Sequence, residues 1–65
     1  MMLKLFLKPN CIVFQSLNYD MMNHLQDLYN LDFIIKNDVY SVAGDPYYLY
    51  KLMYKLARDF DIEVN

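Results

Sequence analysis

The side chains able to do covalent or acid–base chemistry are few and widely scattered. The 65-residue chain has one cysteine, Cys11, and one histidine, His24. They lie 13 positions apart with no second pair, so the ligand spacing of a structural zinc site is absent and no metal is expected. A lone cysteine also excludes an intrachain disulfide. Cys11 opens the apolar run Cys11-Ile12-Val13-Phe14, which predicts a buried, inert thiol, because a reactive one needs an electropositive and partly exposed setting. Ser16 and Ser41 have no histidine relay in reach of the pattern. Asp59 and Asp61 are spaced like a carboxylate pair, yet their place at the end of a helical segment predicts ordinary solvated acids. The only glycine is Gly44, which excludes the glycine-rich loops that bring a backbone close to phosphate. A catalytic pocket also needs a rigid surrounding shell that so short a chain can hardly supply. The expectation is a non-enzymatic protein with no catalytic residue, no cofactor and no small-molecule substrate.

Binding chemistry is better represented. Tyr47, Tyr50, Lys51, Tyr54, Lys55 and Arg58 fall within a sector of about 140° when placed at 100° per residue on a helix. A solvated helix face usually carries Glu, Lys, Gln and Ala. Three tyrosines with interleaved cations have a composition that interfaces enrich, since tyrosine and arginine bury a large area and keep a polar tip. Three readings compete. The tyrosines cover the margin of a sheet with their hydroxyls in water; or they form a face for a protein partner, foreign or a second copy; or they stack the bases of a single-stranded nucleic acid while Lys and Arg meet its phosphates. The nucleic-acid reading suffers because the aromatics sit on a helix, and because a net charge of −2 is a weak field.

The elements that must position these residues read clearly. Met2 to Lys8 sets Leu3, Leu5 and Leu7 against Lys4, Phe6 and Lys8, the alternation of a half-buried strand. Pro9-Asn10 is a turn, and Cys11 to Gln15 is a second strand, apolar enough for a central place. Asn18 caps a helix with Asp20 in its first turn, Leu17 able to pack on Met22, and an apolar stripe of Met21, Met22, Leu25, Leu28 and Tyr29. Asn30 is a left-handed stop. His24 lies on the solvated side of that helix.

Leu31 to Ala43 is a hairpin about Asn37-Asp38, a two-residue turn of type I′ or II′. The implied pairs are Lys36 with Val39, Ile35 with Tyr40, Ile34 with Ser41, and Phe33 with Val42. Leu31, Phe33, Ile35, Tyr40 and Val42 then share a core face, because a one-residue slip would put them in water. Gly44 frees the backbone, Asp45 caps and Pro46 opens the last helix, whose stripe is Leu49, Leu52, Met53, Leu56 and Phe60. Residues 62–65 are expected to form a short edge strand or to fray.

The order ββαββα, with an optional final strand, describes one small α+β domain over residues 1–65, an antiparallel-rich sheet with two helices on one face. From Cys11 onward it follows the split βαβ (ferredoxin-like) plan. The N-terminal strand takes the edge slot beside Cys11 to Gln15, where Lys4 and Lys8 protect it. A final strand would compete for that slot and is expected to be short or absent.

The chain is 57% hydrophobic and 22% charged, a folded composition. At this length only about 60% of the unfolded surface is buried, so stability is marginal without a staple or a partner. The apolar N-terminal run is interrupted by Lys8-Pro9-Asn10 before it reaches signal-peptide length, and no run nears the roughly 18 apolar residues of a membrane span. A cytoplasmic location is the default. A fold does not fix a function. The reading adopted is a small interaction protein that binds a protein partner or itself through the Tyr/Lys/Arg helix face. Stand-alone domains of this size are often regulators or inhibitors carried by phages and mobile elements, which would act in the host cytoplasm.

Overall fold

Local signals place the chain's turns and caps, and the computed structural model, which describes residues 2–65, follows them closely. Strands β1 (Met2–Lys8) and β2 (Cys11–Phe14) are joined through Pro9-Asn10, and helix α1 (Tyr19–Tyr29) follows. Then come β3 (Phe33–Lys36), β4 (Val39–Ala43), helix α2 (Pro46–Asp59) and β5 (Asp61–Val64). The Asn18 side chain accepts the Met21 N–H at 2.8 Å, and Asn30 takes a left-handed conformation at φ 55° that ends α1. The Asp45 carboxylate accepts the Tyr48 N–H at 2.8 Å, with Pro46 at the first helical position where its missing N–H costs nothing. Asn37 and Asp38 both have positive φ, 51° and 63°, which defines a type I′ turn. The four expected β3–β4 pairs form.

The sheet runs β3-β4-β2-β1-β5. All neighbours are antiparallel except β1 and β5, which pair in parallel from Met2·Asp61 to Leu5·Val64. Two expectations are corrected here. The C-terminal strand forms as a short edge strand, but it does not compete with β1 for a place. It docks outside β1, so β1 is an inner strand and its lysines do not guard an edge. The strand order also departs from the split βαβ plan. The β2–α1–β3 crossover brackets one strand, β4, as that plan requires, but β4–α2–β5 brackets two, β2 and the inserted β1. Asn65 extends the new pairing by donating its N–H to the Leu5 carbonyl at 2.9 Å.

The core lies on one face of the sheet. Leu3, Leu5, Ile12, Phe14 and Val42 meet Leu25, Leu31, Leu49, Leu52 and Leu56 in one buried cluster. Residues directly opposite across a ladder share a face, so Leu7, Ile35 and Val64 point the same way but lie outside the helical cover. Ile35 is therefore 54% exposed rather than core, and Leu7 is also exposed. Leu28, at the end of the α1 stripe, is also exposed.

The second face of the sheet carries no helix. The register sets Phe6, Val13, Ser41 and Ile34 in one row across it, with Cys11 in the next row beside Lys8 and Ala43. Cys11 is consequently half-buried rather than enclosed. Gly44 also has a different role from the one its type suggests. Its φ is not positive, but a Cβ there would lie 2.5 Å from Tyr48 Cδ2, so the residue makes room for a ring.

Leu52→Ala removes a side chain from the enclosed cluster and should cost about 2–5 kcal/mol in chemical denaturation; an unchanged midpoint would refute the core face. Asp38→Gly relieves a non-glycine residue at positive φ without touching a contact. It should raise stability by up to about 1 kcal/mol by the same measurement.

Candidate functional site

Helix α2 is fixed at both ends and along one side, and this determines what its other side presents. Asp45 and Pro46 start it, Leu49, Leu52 and Leu56 anchor it, and Phe60 leaves it in extended conformation, leading straight into β5. Tyr47, Tyr50 and Tyr54 then stand 71%, 74% and 72% exposed, the highest values among the large apolar and aromatic side chains of the described residues. Lys51, Lys55 and Arg58 are exposed on the same side. The Lys51 ammonium lies 4.6 Å from the Tyr47 ring centroid, a cation–π distance that pairs the two at the start of the face.

The six residues do not form one uniform patch. Tyr50 and Tyr54 make a ridge with a different slope on each side. On one side Tyr50, Lys51, Tyr54, Lys55 and Arg58 line a shallow cationic cleft of about 440 Å³. On the other, Tyr50 and Tyr54 wall an apolar groove of about 350 Å³ whose floor is Leu7, Met53, Ala57, Ile62 and Val64. The groove continues past Leu7 and Tyr50 towards Pro9 and Pro46. The tyrosines thus border the sheet margin without covering it.

Arg58 is held in place by its neighbour. Its Nε lies 3.2 Å from Asp59 Oδ1 and its Nη2 3.4 Å from Asp59 Oδ2. The same carboxylate accepts the Tyr29 hydroxyl at 2.5 Å, which ties the last residue of α1 to the last residue of α2. Asp59 is therefore engaged and not simply a solvated helix end. The guanidinium hydrogen bond, followed by the phenol hydrogen bond, holds the Asp59 carboxyl below the usual carboxylate range. The Arg58 guanidinium is in turn raised, chiefly by its hydrogen bond to Asp59. Burial first, and the bond to Asp59 second, push the Tyr29 phenol up to about 12. Asp61 points elsewhere: it starts β5 opposite Met2. His24 is exposed on α1.

Leu7, Ile62 and Val64 were not candidates from sequence. Leu7 read as the third core position of β1, and the groove exists only because β5 docks beside it. The alternation of Ile62 and Val64 with Asp61 and Glu63 was the available signal for that strand. Tyr29 and Asp59 meet across 30 positions of sequence, and no local pattern announces the contact.

Among the described residues, no three or more metal-ligating side chains come together. Among the same residues, no helix is long and apolar enough to cross a membrane. Comparison with protein-family models, with curated proteins and with solved structures gives no match.

Tyr29→Phe should bring the Asp59 carboxyl back up towards the ordinary range, read by NMR titration of its side-chain carbon. A depressed carboxyl stabilises the fold above its unfolded value and loses that contribution as pH falls through the folded value. A raised phenol stabilises it below about pH 10 and loses the contribution as pH rises through about 12. The melting-point gap between wild type and Tyr29→Phe should therefore be largest near neutrality and close at both extremes. A gap independent of pH would rule out the contact.

Proposed function

We propose that this chain is a non-enzymatic interaction protein that binds a protein partner through the Tyr50–Tyr54 ridge of α2, as small regulators and inhibitors do. The observation that carries this reading is the exposure of three tyrosines on one helix whose opposite side already closes the core. A folded monomer gains nothing by leaving large aromatic surface in water, whereas an interface gains area at low entropic cost. The two slopes specify the chemistry of the partner. The groove floored by Leu7, Met53, Ala57, Ile62 and Val64 suits an apolar side-chain row. The cleft with Lys51, Lys55 and Arg58 suits carboxylates beside that row. The partner is therefore a protein segment with an apolar face flanked by Asp or Glu. The apolar groove favours a protein over a nucleic acid, which would use the cationic cleft and leave the groove empty.

Capture from a lysate compares wild type with Tyr50→Ala/Tyr54→Ala and with Lys51→Glu/Lys55→Glu. A protein retained by wild type should bind the tyrosine variant at least about thirtyfold more weakly in direct titration, with the charge variant also weakened. Both variants alter exposed side chains and should keep the wild-type melting point within a few degrees. Equal retention by all three would refute the assignment. Retention that disappears on nuclease treatment, with chemical-shift changes on α2 when single-stranded DNA is added at low salt, would replace the protein by a nucleic acid.

A further inference from the structure

We propose that this chain pairs with a second copy of itself along the open edge of β3, antiparallel, with Ile34 opposite Ile34 of the second copy. Strand β3 is the last strand on its side of the sheet. It is also poorly protected. Ile34 and Ile35 are 52% and 54% exposed and point to opposite faces, and the strand contains neither a proline nor a bulge. The edge at the other side of the sheet is guarded differently, since β5 alternates Asp61 and Glu63 with its apolar residues.

Backbone parity selects the register. The type I′ turn at Asn37-Asp38 directs the Lys36 carbonyl towards Val39, so Lys36 and Ile34 present their backbone groups to β4. Phe33 and Ile35 consequently present theirs outward. A two-fold pairing centred on Ile34 sets Phe33 opposite Ile35 of the second copy, and Ile35 opposite its Phe33. All four outward residues then form hydrogen-bonded pairs.

Side chains select the same register. Ile34 and Lys36 share one face of β3 by alternation, and Asp32 is the exposed residue immediately before the strand, with the same parity. The pairing places Asp32 opposite Lys36 of the second copy at both ends, so the charges that would discourage a foreign strand attract this one. Ile34 meets Ile34 between those ion pairs, and Phe33 meets Ile35 on the core face. A shift by two residues either way replaces the ion pairs with Asp32 against Ile34, or with Lys36 against Ile34, and loses hydrogen-bonded pairs. The product is a continuous ten-stranded sheet.

The interface is small, so the dimer should be weak and concentration-dependent, populated at about millimolar chain in low salt. Sedimentation velocity on wild type, Asp32→Lys, Lys36→Asp and the double swap Asp32→Lys/Lys36→Asp tests the register. Each single variant sets like charges opposite each other twice, and should weaken association by about tenfold or more. The double swap should restore it. The altered side chains are exposed, and circular dichroism checks that each variant remains folded. In a mixture of isotope-labelled and unlabelled chains, filtered NMR should show contacts between the Phe33 ring and Ile35 methyls of different chains. A monomer at about millimolar concentration would overturn the proposal. So would association that ignores the single charge reversals, or association abolished by Tyr50→Ala/Tyr54→Ala, which leaves β3 untouched.

Discussion

Everything in this molecule is arranged around a core that forms on one side of the sheet only. Leu5 and Ile12 from the inner strands, with Leu25, Leu49 and Leu56 from the helices, are almost completely enclosed. Burying such side chains supplies most of the favourable free energy available to a chain this short. Two helices of 11 and 14 residues are enough to cover one face and no more. The consequences appear at the borders of that cover. Ile35 and Leu7 run beyond it, the second face of the sheet stays open, and the outer side of α2 leaves Tyr47, Tyr50 and Tyr54 in solvent.

The insertion of β1 between β2 and β5 gives this core its width. An inner β1 adds Leu3 and Leu5 to the face the helices cover, and the parallel β5 then closes β1's flank over its first half. Because β5 ends at Val64, the second half of β1 keeps β2 on one side and has no strand on the other, which is left beside α2. Leu7 becomes the floor of a groove instead of a core residue. The same chain economy that stabilises the fold therefore also builds the apolar side of the tyrosine ridge.

Two surfaces result, and they lie on different parts of the sheet. The tyrosine ridge belongs to α2, next to β5; the open edge of β3 lies at the opposite end of the strand order. Strand pairing at one end would leave the ridge at the other end accessible, so the self-association proposed for β3 and the partner capture proposed for α2 would not compete. A dimer built that way would carry two ridges, and a target with two matching segments would then bind with an effective concentration in place of a second independent encounter.

Local physics is what the amino-acid sequence determines here. The Asn18 and Asp45 caps, the left-handed Asn30, the type I′ turn at Asn37-Asp38 and the β3–β4 register each depend on a few neighbouring residues, and each could be read directly. The same holds for the apolar stripe of α2 and the tyrosine face opposite it. Tertiary structure decided what depends on contacts distant in sequence. The parallel docking of β5 on β1 joins the two ends of the chain. The groove of Leu7, Ile62 and Val64 exists only because of it, and the Tyr29–Asp59 bond joins two helix ends. Alternation alone could not distinguish Leu7 from Leu5, or Ile35 from Val42. Periodicity reports which way a side chain points, but whether a helix lies above it depends on where that helix stops.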